Sequence, residues 1–176
     1  ISILKDPSLA LHHMATAQSL VYLFRTLGQR SHQFLNQVLP ALYVIIKNCP
    51  PSSAEFYFQQ LAVLIGVVGS HIGPQVDAIV SILSSKWDSQ QPCYPALLNL
   101  INILAQALKG EFRPYVHRIV PAVLNILESE STGISTRPFT IQKALQTVAV
   151  LGGQISDYAG VIGDAIVLLL RNSEKF

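Results

Sequence analysis

The chain has 176 residues, of which 50% are hydrophobic and 12% are charged, and its formal net charge is +2. Such a chain is too apolar to be disordered, and its small net charge creates no strong field that would attract nucleic acid or acidic lipid. The only cysteines, Cys49 and Cys93, are too few for a disulfide framework or a cysteine metal site. We interpret them as reduced intracellular thiols.

The distribution of apolar residues predicts neither a targeting signal nor a membrane-spanning helix. No secretory signal precedes the first helix, and no uninterrupted apolar run reaches the roughly 18–20 residues of a spanning helix. We therefore expect no direct insertion into a membrane. Because the chain starts without Met and ends abruptly at Asn172–Phe176, we expect it to be a piece of a longer protein.

Amphipathic helices and short breaks alternate along the chain. Asp6 can cap the first helix and Pro7 suits its first position. This helix is expected over about Ser8–Leu27, with an inner face of Leu20, Leu23, Phe24 and Leu27. Its partner, about His32–Lys47, contains a proline that should bend it, Pro40.

The later helices each carry one apolar face at helical spacing. The second helix of each pair is expected to bury Leu35, Val38, Leu39, Leu42 and Ile46; then Val76, Ile79, Val80 and Leu83; then Val116, Ile119, Val120, Val123 and Leu127; then Tyr158, Val161, Ile162, Ala165 and Leu169. The first helix of the later pairs is expected to bury Leu61, Leu64, Ile65 and Val68; then Leu97, Ile101, Leu104, Ala105 and Leu108; then Ile141, Ala144, Leu145, Val148 and Leu151. Two polar stretches, Trp87–Pro95 and Glu128–Arg137, are predicted as loops.

A repeat is visible in the glycines that are predicted to end the first helices. Gly28, Gly69, Gly110 and Gly152 follow one another at steps of 41, 41 and 42 residues. A period of roughly 40–47 residues with two helices per unit is typical of HEAT repeats. The prediction is an all-α solenoid of about four HEAT repeats, as antiparallel helix pairs with a period of about 41. Their approximate ranges are 8–49, 52–88, 92–130 and 137–172.

No motif for chemistry accompanies these helices. The sequence has no HExxH or CxxC metal signature, no glycine-rich phosphate loop and no GxSxG nucleophile. Its ten acidic residues are scattered rather than paired. We therefore expect no catalytic, cofactor-binding or metal-binding residue, and no enzyme activity in this segment.

Several polar residues could serve a protein partner. Arg113, His117 and Arg118 cluster at the start of one second helix and form a possible partner surface, although solvated helix ends explain them as well. Arg25 and Arg30 flank a turn and have the same two explanations.

Three further features stay open between a special role and an ordinary one. His32, His71 and His117, near the starts of successive second helices, could form a row that senses pH or lines a groove, or could be ordinary surface histidines. The hydroxyls of 129–136 could be phosphorylated, or that stretch could be a plain connector. Trp87 is expected to pack rather than to anchor a partner.

One family resemblance covers nearly the whole chain. The stretch SILKDPSLALHH (Ser2–His13) resembles a signature in the HEAT-repeat region of target-of-rapamycin protein kinases, which are phosphatidylinositol-kinase-related kinases. EFYFQQL (Glu55–Leu61) is the other specific match. Shorter matches follow in the same order, namely FL at Phe34, SHIGP at Ser70–Pro74, GEF at Gly110–Phe112 and DY at Asp157.

The resemblance implies a non-catalytic part of a Ser/Thr protein kinase that acts in nutrient and growth signalling. In that family the kinase domain lies elsewhere, so no catalytic or ATP-binding residue can be placed here. The resemblance implies contacts with a raptor-type regulatory subunit, a second copy of the kinase and neighbouring HEAT repeats. It implies a cytoplasmic protein, peripheral on lysosomal or vacuolar membranes through its complex. The alternative is a cargo- or adaptor-binding solenoid of the nuclear-transport type, although such proteins usually have acidic inner faces and this chain is slightly basic.

Overall fold

The structure is a computed structural model, and it describes residues 1–87, 93–131 and 138–173. Its described residues form α-helices and short 3₁₀ turns, without strands. The helices are α1 (Ser2–Lys5), α2 (Ala10–Leu27), α3 (Leu35–Asn48), α4 (Pro51–Val68), α5 (Val76–Trp87), α6 (Tyr94–Leu108), α7 (Val116–Ser131), α8 (Pro138–Leu151) and α9 (Ala159–Ser173). The predicted all-α fold of the helical-repeat, solenoid class is confirmed, whereas the four repeat boundaries stay a prediction.

Seven-residue 3₁₀ turns join the two helices of each pair. The first turn is Gly28–Phe34, the second Gly69–Gln75, the third Lys109–Tyr115 and the fourth Gly152–Tyr158. Each follows the apolar first helix of a pair and precedes the second helix, so it recurs at close to the 41-residue step of the sequence.

The residue that opens each turn has a positive φ. Gly28, Gly69 and Gly152 have φ values of 57°, 59° and 47°, and the ψ of the first two lies at −142° and −135°. That combination is close to a region of backbone space that only glycine occupies readily. In the third turn Lys109 takes the positive φ, at 51°. The prediction that Gly110 ends the first helix of the third pair is therefore wrong by one residue. That helix, α6, ends at Leu108, and Lys109 directly follows it.

The chain divides into two compact units, and Ile1–Leu108 forms the first. Within it α4 packs between α2 and α6, and α3 packs against α5, so first helices and second helices form two layers. The face predicted for α4, with Leu61 and Leu64 among its members, is completely buried. The faces predicted for α3, α5 and α6 are also buried, and Pro40 lies inside α3 with its side chain exposed.

The face predicted for α2 needs correction. Leu23 and Leu27 are 53% and 46% exposed, whereas Ala17, Val21 and Phe24 are buried. Apolar residues occur on nearly every side of this helix, so its periodicity does not single out one face. Packing against α4 selects the stripe Ala17–Val21–Phe24, whose spacing of i, i+4 and i+7 is that of one helix face.

The second unit is Lys109–Phe176, in which α7 packs against α8 and α9. The predicted face of α7 is buried, and Val120 keeps only 2% of its surface exposed, as predicted. The face predicted for α9 is only partly correct. Ile162 and Ala165 are buried, but Val161 is 54% exposed.

Helices extend into both stretches that are predicted as loops. Trp87 is the last residue of α5, and Tyr94 and Pro95 lie in the first turn of α6. Proline is well tolerated at such an early helical position. The helix α7 continues through Glu128 to Ser131. The rest of the two predicted loops, 88–92 and 132–137, falls outside the described residues.

Candidate interaction surface

The basic residues proposed as a partner surface lie at the beginning of α7 and in the turn before it. Arg113 is in the third turn, and His117 and Arg118 are exposed on the first turn of α7. The neighbouring Val116, Ile119 and Val120 are buried. Helical spacing therefore points the two polar side chains of α7 away from the core of the unit.

An acidic residue in another turn forms an ion pair with Arg113. The guanidinium of Arg113 lies 3.7 Å from a carboxylate oxygen of Asp157 in the fourth turn. The two side chains are 64% and 74% exposed, so water and salt screen this ion pair. Asp157 and the exposed Glu111 offset part of the positive charge. The surface is thus mixed in charge, which the spacing of the basic residues alone did not indicate.

Two of the three candidate histidines meet in the first unit. The imidazole rings of His32 and His71 stack with their centroids 4.4 Å apart and their planes 17° apart. His117 lies in the second unit. The sequence suggested a row of three, and the structure places two of them in direct ring contact.

A cleft of about 580 Å³ lies in the first unit, where α1 and the start of α2 meet the end of α3 and the start of α4. Its lining is mostly apolar, and the half-buried Cys49 forms part of it. The thiol of Cys49 donates a hydrogen bond to the carbonyl oxygen of Ile46 at 3.3 Å, and burial raises its pKa. Burial also raises the pKa of Cys93. Both groups therefore remain thiols at neutral pH, a form that is a poor nucleophile and metal ligand.

The other predictions on polar residues have different outcomes. Among the described residues, no three His, Cys, Asp or Glu side chains are grouped closely enough to hold a metal ion. The packing role of Trp87 is confirmed, since it is 6% exposed and its ring lies 5.6 Å from that of Tyr94. Ser129 and Ser131 belong to α7, while Thr132, Ser135 and Thr136 lie outside the described residues. Arg25 and Arg30 are both exposed, at the end of α2 and in the first turn.

An exposed apolar surface on α8 and α9 was missed in the sequence. Phe139, Val161, Val167, Leu168 and Leu170 are between 46% and 58% exposed. The signal was available, because α9 carries apolar residues all around its circumference, a pattern that is typical of helices covered by protein. We call these five residues the α8–α9 apolar surface, which extends around α9, since Leu168 and Leu170 are about 200° apart on that helix.

Two stretches, Ser52–Trp87 and Phe139–Arg171, are long and apolar enough to span a membrane by length and composition. Each contains a 3₁₀ turn between two helices. In the first stretch the apolar face of α4 packs against other helices of the unit. Its hydropathy is therefore that of a core helix.

Comparisons with known proteins identify a family for the chain. A family model described as the Serine/threonine-protein kinase mTOR domain matches residues 1–69. The chain is 34% identical over 173 residues to Serine/threonine-protein kinase TOR2 of Saccharomyces cerevisiae, a match that covers 98% of the chain. It is 33% identical to Serine/threonine-protein kinase tor1 of Schizosaccharomyces pombe and 32% identical to Serine/threonine-protein kinase mTor of Drosophila melanogaster, over 99% and 95% of the chain.

In each of these three relatives the matched segment makes up 7% of the protein's length. The matched region is not the kinase domain, so this segment is not itself catalytic. The chain therefore belongs to the target-of-rapamycin family, as a segment of its helical-repeat region.

Proposed function

We propose that this segment is a non-catalytic scaffold of a target-of-rapamycin Ser/Thr protein kinase, which holds protein partners at fixed positions. The observation that carries the proposal is its similarity to such kinases, at 32–34% identity over nearly all of its residues, outside their kinase domain. Stacked helix pairs suit this role because each pair is stabilised by its neighbours and the array offers extended surfaces.

The α8–α9 apolar surface supports a role in protein contacts. Five large apolar side chains that are roughly half exposed leave a surface whose burial would contribute about 25 cal/mol per Å². Neighbouring HEAT repeats, a raptor-type regulatory subunit or a second copy of the kinase could cover it. Through these contacts the segment would contribute to complex assembly, dimerisation and signalling in response to nutrients and growth.

The charged surface around Arg113 is a weaker candidate for partner binding. Arg118 and His117 are exposed, but Arg113 already has Asp157 as its partner. We therefore assign the main partner contact to the apolar surface. Localisation would follow from the parent complex, which we propose is cytoplasmic and peripheral on lysosomal or vacuolar membranes. No observation favours the alternative, a cargo- or adaptor-binding solenoid of the nuclear-transport type.

The test uses the full-length kinase that contains this segment. We expect Leu168→Asp with Leu170→Asp to reduce co-precipitation of the raptor-type subunit or of a differently tagged second copy. Activity of the kinase domain toward a short peptide should be unchanged. The matched control is Gln142→Asp with Gln146→Asp on the polar, exposed side of α8, which should leave both assemblies intact.

Two results would contradict the proposal. One is unchanged co-precipitation of both partners by the apolar-surface variant at normal protein level. The other is a loss of peptide phosphorylation while both assemblies remain intact, because a scaffold would not act in that way.

A further inference from the structure

A polar contact joins the first and second turns in the first unit. The rings of His32 and His71 stack with centroids 4.4 Å apart. Four positions further along the chain from each histidine, the side-chain amide of Gln75 donates a hydrogen bond to the side-chain oxygen of Asn36 at 2.9 Å. We call these four residues the histidine seam. It links successive helix pairs through polar side chains, of which the two imidazoles can gain charge, whereas the contacts of the core are apolar.

One ring of the seam is held in a fixed orientation. The Nδ1 atom of His32 lies 2.7 Å from the carbonyl oxygen of Gln29. A carbonyl oxygen can only accept, so Nδ1 carries a proton in both the neutral and the charged ring. The Nε2 atom is therefore the one that takes up a further proton. Both rings are exposed to solvent, and protons can reach them without opening the fold.

The charges around the seam are mostly positive. The first turn packs against α2, α3 and α4, and the second turn packs against α4, α5 and α6. Near the seam these elements contribute Arg25 in the last turn of α2, Arg30 in the first turn and Asp77 in the first turn of α5. The other charged residues of these helices are at their far ends, at Lys47, Glu55 and Lys86. His12 and His13 are likewise near the opposite end of α2, and α6 has no charged residue.

Protonation changes the sign of the contact between the rings. Two neutral imidazoles attract as stacked aromatic rings do. Two imidazolium rings at the same distance repel each other, and histidine side chains change charge between about pH 5 and 8. We propose that the histidine seam is a pH-sensitive joint between the first two helix pairs, closed at neutral pH and loosened when both rings are charged.

Hydrogen–deuterium exchange of the chain at pH 7.5 and pH 5.5, corrected for intrinsic exchange rates, tests the joint. Two charges 4.4 Å apart in a solvent-exposed site should increase local opening about fivefold. We therefore expect protection in Gly28–Phe34 and Gly69–Gln75 to fall about fivefold at pH 5.5. Salt at about 1 M should reduce that fall because it screens the repulsion.

Variants separate the joint from a general effect of acid. His32→Phe with His71→Phe keeps two stacked rings and removes the proton sites, so protection of both turns should no longer depend on pH. His71→Gln, which leaves one imidazole, should have the same result and serves if the double variant does not fold. His117→Phe in the second unit is the matched control and should behave like the parent chain.

The proposal is overturned if the parent chain shows no fall in protection, or if either seam variant shows the same fall as the parent. Equal loss of protection in all helices of the first unit at pH 5.5 would also overturn it, because that pattern is global acid destabilisation.

Discussion

The helices α4 and α9 both carry many apolar residues, yet they bury them very differently. Leu61, Leu64 and Ile65 of α4 are completely buried, while Leu168 and Leu170 of α9 are 46% and 58% exposed. The difference follows from their neighbours: α4 has α2 and α6 at its sides, whereas within its unit α9 contacts α7 and the fourth turn. Burial in a helical-repeat array is thus decided by the elements beside a helix as much as by its own sequence.

The two units also differ in how their turns are linked. In the first unit two imidazoles stack across the turns, and in the second an arginine pairs with an aspartate. Arginine and aspartate are both charged between pH 5 and 8, whereas histidine changes charge there. The four substitution pairs below, ordered from the largest expected effect to the smallest, test these differences.

The largest effect is expected for a charge placed in the core of the second unit. Val120→Asp should cost roughly 3–5 kcal/mol and unfold that unit, because Val120 is 2% exposed and the carboxylate would have no partner. Val161→Asp on α9 is the matched control, and it should change stability by less than about 0.5 kcal/mol. Urea denaturation followed by circular dichroism measures both. Equal midpoints for the two variants would mean that our assignment of buried faces is wrong.

Leucine truncation compares α4 with α9 directly. Leu64→Ala should cost roughly 2–5 kcal/mol, since it removes a completely buried side chain and leaves a cavity. Leu168→Ala should cost less than about 1 kcal/mol in the isolated chain because nearly half of this side chain is already exposed. If Leu168→Ala proved as costly as Leu64→Ala in thermal unfolding, α9 would be covered by contacts that its exposure does not indicate.

Alanine substitutions at two of the repeat glycines, one with a positive φ and one without, measure the effect of φ on stability. Gly69→Ala should destabilise the chain by roughly 1–3 kcal/mol, because its φ of 59° is unfavourable for any residue with a Cβ atom. Gly110→Ala should be neutral or stabilise by up to about 1 kcal/mol. At both sites an added Cβ would meet no atom within 4 Å, so a steric clash would not confuse the comparison. If both variants lost the same free energy of unfolding in denaturation experiments, that result would contradict the placement of the positive φ at Lys109 rather than at Gly110.

The smallest effect is expected for the ion pair between the third and fourth turns. Arg113→Ala should cost less than about 0.5 kcal/mol, because both side chains are largely exposed. A double-mutant cycle with Asp157→Ala should give a coupling that disappears in about 1 M salt. A coupling above about 1 kcal/mol that persisted in high salt would show that this pair is stronger than an exposed ion pair.

The helix faces show where sequence patterns were sufficient. The predicted faces of α3, α4, α5, α6 and α7 are all buried. In α3, α5 and α7 an apolar stripe stands against polar residues at a helical period. The helices α4 and α6 are apolar on most sides, and they bury residues beyond the predicted face as well. The faces of α2 and α9 were predicted only in part. Both helices are apolar on several sides, so the period is ambiguous and packing chooses the buried stripe.

Local backbone geometry had a similar limit. Glycine spacing located the turn after each first helix to within one residue. It did not indicate that Lys109 would take the positive φ in the third turn, since a positive φ is uncommon for residues other than glycine. The sequence likewise indicated only the basic residues of the candidate surface. It did not indicate their acidic partner, because Asp157 lies 44 positions after Arg113 and no local pattern connects them.

By itself, the sequence determined the helix-pair repeat, its period, most core residues and the family, since these depend on local periodicity and on residues that follow one another in order. Only the tertiary structure decided which stripe of α2 and α9 is buried, which turns meet through His32 and His71 or through Arg113 and Asp157, and which apolar residues remain exposed. The physical reason is that these contacts join residues about forty positions apart, and their free energy depends on neighbouring elements that a local pattern does not contain.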